Sequence, residues 1–477
     1  MSKQNPGPSR SAAHRQAGTT THLSQVAGLL LLSWAAGCTG KVTSDLPPEQ
    51  AQAGVQDPGA RTSASQAGPG GPLPGLTPGE LAAFQAGLAE FIEVELVQTP
   101  SGSASGLGPR YNSTSCGRCH SQPGIGGTSP AVNPQVADAT AHGATNSVPW
   151  FVTANGPVRE ARFKQTLSGA PDGGVHDLYT ITGRDDAPGC NIGQPGFGPA
   201  GDPQTGQGGN DNLALRIPTP VFGAGLVEAV SDMAIVMNMA ADADLKASLG
   251  IFGHPNVSGN DGTITRFGWK AQNKSLIIFA AEAYNVEIGV TNEFFPEERD
   301  ETPGCLFNQL PEDSFDTTAT APLDAASDVQ KFAFFMRLLA PPTPGPNTPS
   351  TVHGRTLFQT TGCALCHTPT LQSGNATSAA LANQPVNLFS DLLVHAMGNR
   401  LADGIRQGAA GPDEFRTAPL WGVGQRLFFL HDGRTSDLVE AIEAHRSKNS
   451  EATGVIERFN HLSGKDQQDL VDFVRSL

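Results

Sequence analysis

Apolar residues recur at helical spacing in several separate segments of the chain, with long irregular stretches between them. The first such segment carries five large apolar residues on one helical face, namely Leu81, Phe84, Leu88, Phe91 and Ile92. Thr77 and Glu80 stand just before it at the spacing of a capping box. The pattern therefore predicts that the folded part of the chain begins with a helix at about residue 77.

Further helices are predicted where the same periodicity returns, at roughly 231–248, 275–287 and 325–339. Residues 121–215 hold many Gly, Pro, Asn and Asp residues and few periodic runs. We expect long ordered loops with short strands there, because these residue types favour turns over regular elements.

A proline-rich segment, 340–346, separates two predicted folded units. The second unit runs to the C-terminus and ends in an amphipathic pattern over 467–477, which predicts a terminal helix. The pattern thus predicts a mainly α protein with long loops. Its first domain is expected over 77–340 and its second over 341–477.

The N-terminus has the pattern of an export signal. Basic residues precede a short apolar run at 26–32, which is too short to span a bilayer. Small residues then lead to Cys38, as in the acylation site of a bacterial lipoprotein, although simple cleavage nearby is an alternative. We therefore predict a signal peptide with a lipoprotein cysteine over 1–38 and a disordered tether over 39–76.

The composition is acidic, with 45 Asp and Glu against 30 Lys and Arg and a net charge of -15. This charge argues against nucleic acid as a partner, because phosphates would be repelled. It fits a redox partner with a basic face, such as a small cytochrome or a cupredoxin. The charge could equally serve solubility alone.

Two Cys-X-X-Cys-His motifs carry the clearest chemistry. They are Cys116-Gly117-Arg118-Cys119-His120 and Cys363-Ala364-Leu365-Cys366-His367. Two thiols at this spacing reach the two vinyl groups of one haem, and the following histidine becomes the proximal iron ligand. Zinc would need a second Cys/His pair near each motif, and neither motif has one. The sequence therefore predicts an exported c-type cytochrome with two covalently bound haems.

Two cysteines remain once Cys38 and the haem cysteines are assigned, Cys190 and Cys305, both in Gly/Pro-rich segments. A disulfide between them would connect long loops of the first domain in an oxidising compartment. Two free thiols are the alternative, and the sequence leaves the choice open.

Several further motifs resemble the di-haem oxidoreductases related to bacterial di-haem cytochrome c peroxidase, in particular a subgroup labelled thiol oxidoreductase. The resemblance covers about residues 77–477. The motifs that carry it are Gly106-Leu107-Gly108-Pro109-Arg110-Tyr111-Asn112, Pro220–Ala229, Arg266-Phe267-Gly268-Trp269-Lys270, Ser390–Gly398, Leu401-Ala402-Asp403-Gly404, Phe415–Gly422 and Leu430-His431-Asp432-Gly433-Arg434.

The resemblance implies a division of labour. In the peroxidases the N-terminal haem meets hydrogen peroxide and the C-terminal haem receives electrons. A tryptophan lies between them, and Trp269 matches it. A glutamate beside the peroxidatic iron is matched best by Glu287, while Ile277 stands where the relatives carry a glutamine. Glu228 is the rival carboxylate, and Trp269 and Glu287 could instead be a core aromatic and a surface acid.

The same resemblance implies that the distal ligand of the second haem is a different residue type from the one in the peroxidases. They have a methionine where this chain has His445, so the resemblance implies ligation of haem 2 by His367 and His445. Imidazole stabilises ferric iron better than thioether does, so the potential of this haem should be low. Met397 is the alternative ligand, and His445 could instead be a solvated helix residue.

Two other features of the relatives are less well matched. No distal ligand is evident for haem 1, since the nearest downstream histidine, His142, lies in a small-residue loop. The relatives hold calcium between their domains, partly through carbonyls at a Thr-Ala-Pro step that Thr417-Ala418-Pro419 matches. Arg216 replaces an oxygen ligand of that site, which argues against calcium here.

The resemblance implies a peroxidase-type oxidoreductase, and the N-terminal pattern predicts that it resides in the periplasm or outer membrane, attached to the membrane by a lipid anchor only. Haem 1 would reduce hydrogen peroxide with Glu287 as the proton shuttle, and haem 2 would relay electrons through Trp269. Two alternatives are a non-enzymatic electron-transfer cytochrome and a di-haem oxidase of an organic or protein substrate.

Overall fold

Helices provide most of the regular structure, and the strands are short. The computed structural model describes residues 54–61, 70–99, 106–166, 168–197 and 212–477. Within these residues no helix is long and apolar enough to cross a membrane. The predicted signal peptide and Cys38 lie outside the described residues.

The bounds of the elements are as follows. The α-helices are Pro78–Ile92, Cys116–Cys119, Gln135–Asp138, Ala224–Ala229, Asp232–Ala240, Ala243–Leu249, Leu276–Ala283, Pro322–Ala325, Asp328–Leu338, Pro349–Thr361, Gly398–Leu401, Leu438–Ala444, Thr453–Asn460 and Gly464–Ser476. Tighter or wider helical turns are Ala141–Gly143, Tyr284–Ile288, Cys363–Leu365 and Val423–Gln425. The strands are Arg110–Tyr111, Glu160–Phe163, Val175–His176, Tyr179–Thr180, Leu213–Arg216, Asn256–Val257, Ile264–Thr265, Leu371–Gln372, Pro385–Val386, Val394–Ala396 and Glu414–Arg416.

Each half of the chain has one pair of closely crossing helices. Pro78–Ile92 packs on Asp328–Leu338, and Pro349–Thr361 packs on Gly464–Ser476. A glycine lies at each crossing, since a Cβ on Gly87 would strike the main chain at Lys331 and a Cβ on Gly354 would strike it at Asp469. The backbones therefore approach at a distance that only glycine permits.

The first helix begins as its sequence predicts. The Thr77 hydroxyl accepts from the Glu80 amide at 3.3 Å, and the Glu80 carboxylate accepts from the Thr77 amide at 2.8 Å, which completes the capping box. The buried face is narrower than predicted, because Leu81 is 38% exposed and Ile92 is 48% exposed.

The other predicted helices are present with different bounds. The segment 231–248 forms two helices rather than one, because Asp242 takes a left-handed conformation with φ of 54° between them. The segment 275–287 forms helix Leu276–Ala283 and then the wider turn Tyr284–Ile288. The prediction at 467–477 is three residues short at its start, since the helix begins at Gly464.

Short antiparallel strands organise the loop-rich region as predicted. The central strand of a three-stranded sheet, Glu160–Phe163, pairs with Val175–His176 on one side and Leu213–Arg216 on the other. Cys190 and Cys305 form a disulfide with Cα atoms 4.8 Å apart, which resolves the open choice for these cysteines.

The prediction that 39–76 is a disordered tether is wrong for its described parts. Asp57 forms two hydrogen bonds with the Arg475 guanidinium, at 2.6 and 2.5 Å, and its side chain is 7% exposed. The Arg61 guanidinium donates to the Leu477 carbonyl at 2.8 Å. Composition alone did not reveal this attachment, because two charged residues provide most of its contacts and Val55 provides the apolar one.

Two buried clusters form most of the core. The larger draws residues from both halves of the chain, between Leu73 and Trp421, and the smaller lies between Phe358 and Leu477. Gln52–Leu477 is one compact unit. Residues 341–348 carry no helix or strand, and the predicted boundary at 340–341 stays a prediction.

Candidate functional site

The first Cys-X-X-Cys-His motif lies on the wall of a cavity of about 1140 Å³. Helix Cys116–Cys119 is a single turn, and the amide of His120 donates to the Cys116 carbonyl at 3.0 Å. This turn directs both thiols and the imidazole to the same cavity. The His120 Nδ1 lies 3.0 Å from the Gly127 carbonyl.

The second motif lines a larger cavity, of about 1430 Å³, in the same way. The amide of His367 donates to the Cys363 carbonyl at 2.9 Å, and its Nδ1 lies 3.0 Å from the Phe389 carbonyl. In both motifs a main-chain carbonyl thus accepts a hydrogen bond from the Nδ1–H group. Nε2 is left with its lone pair, the form that ligates iron.

Both cavities fit a haem. Each presents two thiols and one neutral imidazole, and most of the remaining lining side chains are apolar. Burial lowers the pKa of His367 to about 4 and raises the pKa of Cys119 and of Cys363 to about 12.

Trp269 lies in the lining of both cavities. Its indole N–H donates to the Ile217 carbonyl at 2.9 Å, and its own carbonyl accepts from the Arg416 amide at 2.8 Å. On the side of the second cavity, His431 approaches the indole edge-on with ring centroids 6.4 Å apart. The structure therefore places an aromatic ring between the two candidate haem sites.

Glu287 faces the first cavity from the wide turn Tyr284–Ile288. Its carboxyl group is hydrogen-bonded to the carboxylate of Glu160, which lies at the start of strand Glu160–Phe163. Arg162, two residues further along the same strand, donates to Glu160 at 2.5 Å. Side chains at i and i+2 share one face of a strand, which explains why both reach this cavity.

The two carboxyl groups titrate in opposite directions. Burial, and then the charge of Glu160, raise the pKa of Glu287 well above its usual value. Burial would raise the pKa of Glu160 too, but the adjacent Arg162 guanidinium outweighs it and lowers that pKa. The pair therefore holds one proton, and the proton resides on Glu287.

Glu228 and Ile277 lie away from this pair. The Glu228 carboxylate accepts from Arg337 at 2.6 Å and from the Leu276 amide at 2.9 Å, outside the cavity lining. Ile277 packs against the core. Two glutamines do line the cavity, Gln135 and Gln272, and the buried Oε1 of Gln272 has no hydrogen-bond partner.

The first cavity has one histidine, whereas the second has several. Among the described residues, the lining of the first cavity contains His120 alone of that residue type, and His142 lies elsewhere, 3.3 Å from Asp185. Met336 also lines the first cavity. It lies on the same helix as Phe332, which contacts Phe91, and Phe91 contacts the His120 ring.

His445 shares the second cavity with His367. It ends helix Leu438–Ala444, and its Nδ1 lies 2.8 Å from the Ala441 carbonyl, which again leaves Nε2 with a lone pair. Burial lowers the pKa of His445 and keeps the ring neutral. Met397 lines the same cavity, so both candidate ligands named from the sequence reach it.

His395 also reaches the second cavity but is engaged on both nitrogens. Its Nε2 lies 2.9 Å from Asp391 and its Nδ1 lies 2.7 Å from Glu451. Burial would lower its pKa, but Cys366 and Asp391 beside it raise that pKa well above the usual value. An imidazolium between two carboxylates has no lone pair to offer a metal.

Two arginines line the second cavity, the half-buried Arg416 and the buried Arg426. Arg426 is 7% exposed, and its Nε and Nη2 have no hydrogen-bond partner. Burial lowers the pKa of Arg426 and of Arg416 to about 10. A buried guanidinium without a counter-ion is costly, so this part of the cavity fits an anionic group such as a haem propionate. Arg426 was not singled out from the sequence for this role, because it belongs to no motif, whereas Arg416 lies in the motif Phe415–Gly422.

The residues do not fit a calcium ion at the position that the resemblance implies. Arg216 is buried, and its guanidinium donates to Asp403 and to Gln407, both at 2.7 Å. The Thr417 carbonyl already accepts from the Ser390 hydroxyl at 2.6 Å. A fixed cation thus takes the place of an oxygen ligand, and one of the expected carbonyls is already in use.

The comparisons with solved structures give partial overlaps at low identity. The matches include Kuenenia stuttgartiensis hydrazine synthase pressurised with xenon (21% identity, 33% of this chain and 56% of that chain, TM-score 0.23). They also include a MauG-like protein associated with microbial copper homeostasis (16%, 55% and 90%, TM-score 0.30) and the di-haem peroxidase from Burkholderia thailandensis (14%, 55% and 86%, TM-score 0.26). This chain spans just over half of the hydrazine synthase chain. No curated protein is similar enough in sequence to count as a relative.

The family comparison is broader. The family described as "Di-haem oxidoreductase, putative peroxidase" matches residues 209–477. This range contains Trp269, Glu287, the second Cys-X-X-Cys-His motif and His445. Because the match covers more than half of the 477 residues, the chain belongs to the di-haem oxidoreductase family.

Proposed function

We propose that this di-haem oxidoreductase is an exported c-type cytochrome that reduces hydrogen peroxide at the first cavity and takes up electrons at the second. Each cavity would hold one haem, linked through Cys116 and Cys119 or through Cys363 and Cys366. The matching helix pairs of the two halves support two haem domains, one on each side of Trp269.

One observation carries this assignment, namely the difference between the two cavities. The second cavity brings His367 together with His445, a pair that would fill both axial positions. The first offers His120 on one side and the Glu287 carboxyl on its wall. A bound haem with an open position supplies the redox chemistry for peroxide, and a carboxyl group nearby supplies the acid–base chemistry.

Glu287 performs the proton transfers in this proposal. Reduction of hydrogen peroxide to water consumes two electrons and two protons, and breaking the O–O bond requires a proton on the departing oxygen. A carboxylic acid within hydrogen-bond reach can deliver it, which contributes on the order of 10²–10⁴ in rate. Burial and the neighbouring Glu160 carboxylate keep Glu287 protonated until that step.

The electron donor, by this proposal, is a small cytochrome or cupredoxin with a basic face. The net charge of -15 supports this class of partner through long-range attraction. We also propose that the predicted signal peptide exports the chain and that Cys38 is its lipid anchor in the periplasm or outer membrane. Association rates that fall as salt is raised are expected for such a donor.

The test is stopped-flow absorbance of the haem-loaded protein mixed with hydrogen peroxide, for wild type and Glu287→Gln. We expect the substitution to slow the reaction at least tenfold. Glu228→Gln is the matched control, since that carboxylate lies outside the cavity, and its rate should equal the wild-type rate. An unreactive wild type, both oxidised and half-reduced, would overturn the assignment in favour of an electron carrier or an oxidase of another substrate.

A further inference from the structure

We propose that Glu160 is a positioning residue for the acid–base step, which holds the proton on Glu287 and, through its own negative charge, favours the return of that proton after it has left. The proposal rests on the proposed function and names the partner that completes the site. The resemblance places a glutamine in that role, and its position here is the core residue Ile277. The second polar group comes instead from a strand remote in sequence.

The backbone fixes both members of the pair. The carbonyl of Glu287 accepts from the amides of Asn112 and Ser113, at 2.7 and 3.2 Å, just before the first Cys-X-X-Cys-His motif. Glu160 is held by the sheet register, in which its Cα pairs with that of Arg216. Glu287 is thus tied to the haem-binding segment, and Glu160 to a separate, rigid element.

The charges around the pair are unequal. Glu160 is flanked by Arg162 on its own strand and by Arg216 on the neighbouring strand, and the Arg162 side chain is 8% exposed. Asp177, which directly follows strand Val175–His176, adds a further negative charge near Glu287, and Glu282, on the preceding helix, lines the same cavity. Two close carboxyl groups cannot both ionise at low cost, so the guanidinium charges select Glu160 as the ionised one.

The arrangement assigns a role in turnover. As the O–O bond of the peroxide breaks, the proton of Glu287 moves to the departing oxygen, which leaves as water. The electrons come from the donor protein, and a second proton from solvent completes the second water. The Glu287 carboxylate then lies beside the Glu160 carboxylate, and the repulsion between them favours prompt reprotonation of Glu287. Glu160 therefore resets the acid without touching the peroxide.

The test measures the proton directly, by infrared spectroscopy of the oxidised, haem-loaded protein without peroxide. The wild type should show a C=O band of a buried carboxylic acid at neutral pH that Glu287→Gln lacks, in addition to the bands of Glu95 and Glu298, whose pKa burial raises to about 8. In Glu160→Gln the band should vanish too, because Arg162 then faces Glu287 alone and favours its ionised form. Glu160→Asp keeps a carboxylate and should restore the band. Glu457→Gln, at an exposed site, should leave it unchanged.

The outcomes separate this proposal from the proposed function. A wild type without the band, or a band that survives in Glu160→Gln, would overturn the role of Glu160 even if peroxide is reduced. If the bands follow the expected pattern but the protein does not react with peroxide, the Glu160–Glu287 pair is supported and the proposed peroxide reduction is overturned. With both present, Glu160→Gln should also shift the acid limb of the peroxide reaction to lower pH, because the pKa of Glu287 falls.

Discussion

The indole of Trp269 donates its N–H to the carbonyl of Ile217, at 2.9 Å, and this bond joins the walls of the two candidate haem cavities. Ile217 directly follows strand Leu213–Arg216 of the first cavity. The carbonyl of Trp269 is bonded in turn to the Arg416 amide, in a strand that borders the second cavity. The ring is held from both sides and has little freedom to rotate.

Trp269→Phe should slow electron exchange between the haems at least tenfold, or about 1.4 kcal/mol in activation free energy. Phenylalanine keeps an aromatic ring but loses the N–H bond and half of the π-system that spans the gap. The measurement is the rate of re-equilibration between the haems after rapid half-reduction. Trp421→Phe is the control, since that buried indole lines neither haem cavity. Equal rates in wild type and Trp269→Phe would exclude the bridging role.

The sequence was sufficient for the parts of the site that are local in the chain. The Cys-X-X-Cys-His spacing fixes a one-turn geometry, so the haem-facing residues could be named without a structure. Trp269, Glu287 and His445 came from motif resemblance, and the structure places all three on cavity walls.

The parts that the sequence did not reveal depend on long-range contacts. Sheet pairing is what brings Glu160 close to Glu287. In the sequence alone, Glu160-Ala161-Arg162 has the pattern of an ordinary strand with one polar face. Arg426 has no distinctive neighbour in sequence. Glu228, the rival carboxylate, is the converse case, because tertiary packing gives it Arg337 as a salt-bridge partner at 2.6 Å. Hydrophobic periodicity and motif spacing carry no information about contacts between residues that are distant in sequence.

His445→Met should raise the potential of haem 2. Thioether favours ferrous iron relative to imidazole, and we expect a rise on the order of 100 mV within the ~0.8 V span that axial ligands cover. Spectroelectrochemical titration measures the potential, and the near-infrared spectrum reports the ligand. Met397→Leu is the control, and it should change neither quantity. A ligand change in Met397→Leu with none in His445→Met would assign the sixth ligand to Met397.

Arg426→Met should lower the potential of haem 2. The orphaned guanidinium is placed to pair with a propionate, and a nearby cation favours the reduced haem because that state carries one positive charge less. We expect a fall on the order of 59 mV, equivalent to tenfold in the one-electron equilibrium. Arg458→Met, at an exposed helix position, should have no such effect. An unchanged potential in both variants would place the propionates elsewhere.

Calcium removal should leave the protein unaffected. Arg216 supplies an internal cation, and the carbonyl of Thr417 is already used by Ser390. Incubation with a calcium chelator should therefore change neither the haem spectra nor the rate of reaction with peroxide, and added calcium should not increase that rate. A tenfold loss on chelation, restored by calcium, would show that a site exists among other residues.

Asp57→Asn should destabilise the C-terminal half by about 3 kcal/mol, because it leaves the buried Arg475 guanidinium without its charge partner. Burial alone would raise the pKa of Asp57, but the bonds from Arg475 and from the amides of Leu438 and Gly59 lower it overall. A lowered pKa means that this stabilisation is present above the unfolded-state pKa of about 3.9 and is lost as the pH falls through the lower, folded value. The stabilities of the wild type and Asp57→Asn should therefore differ most near neutral pH and converge in acid.

Hydrogen exchange of helix Gly464–Ser476 measures the local effect, and Asp244→Asn, at an exposed position, is the control. Equal hydrogen-exchange protection of this helix in wild type and Asp57→Asn at neutral pH would show that residues 54–61 contribute nothing to its stability.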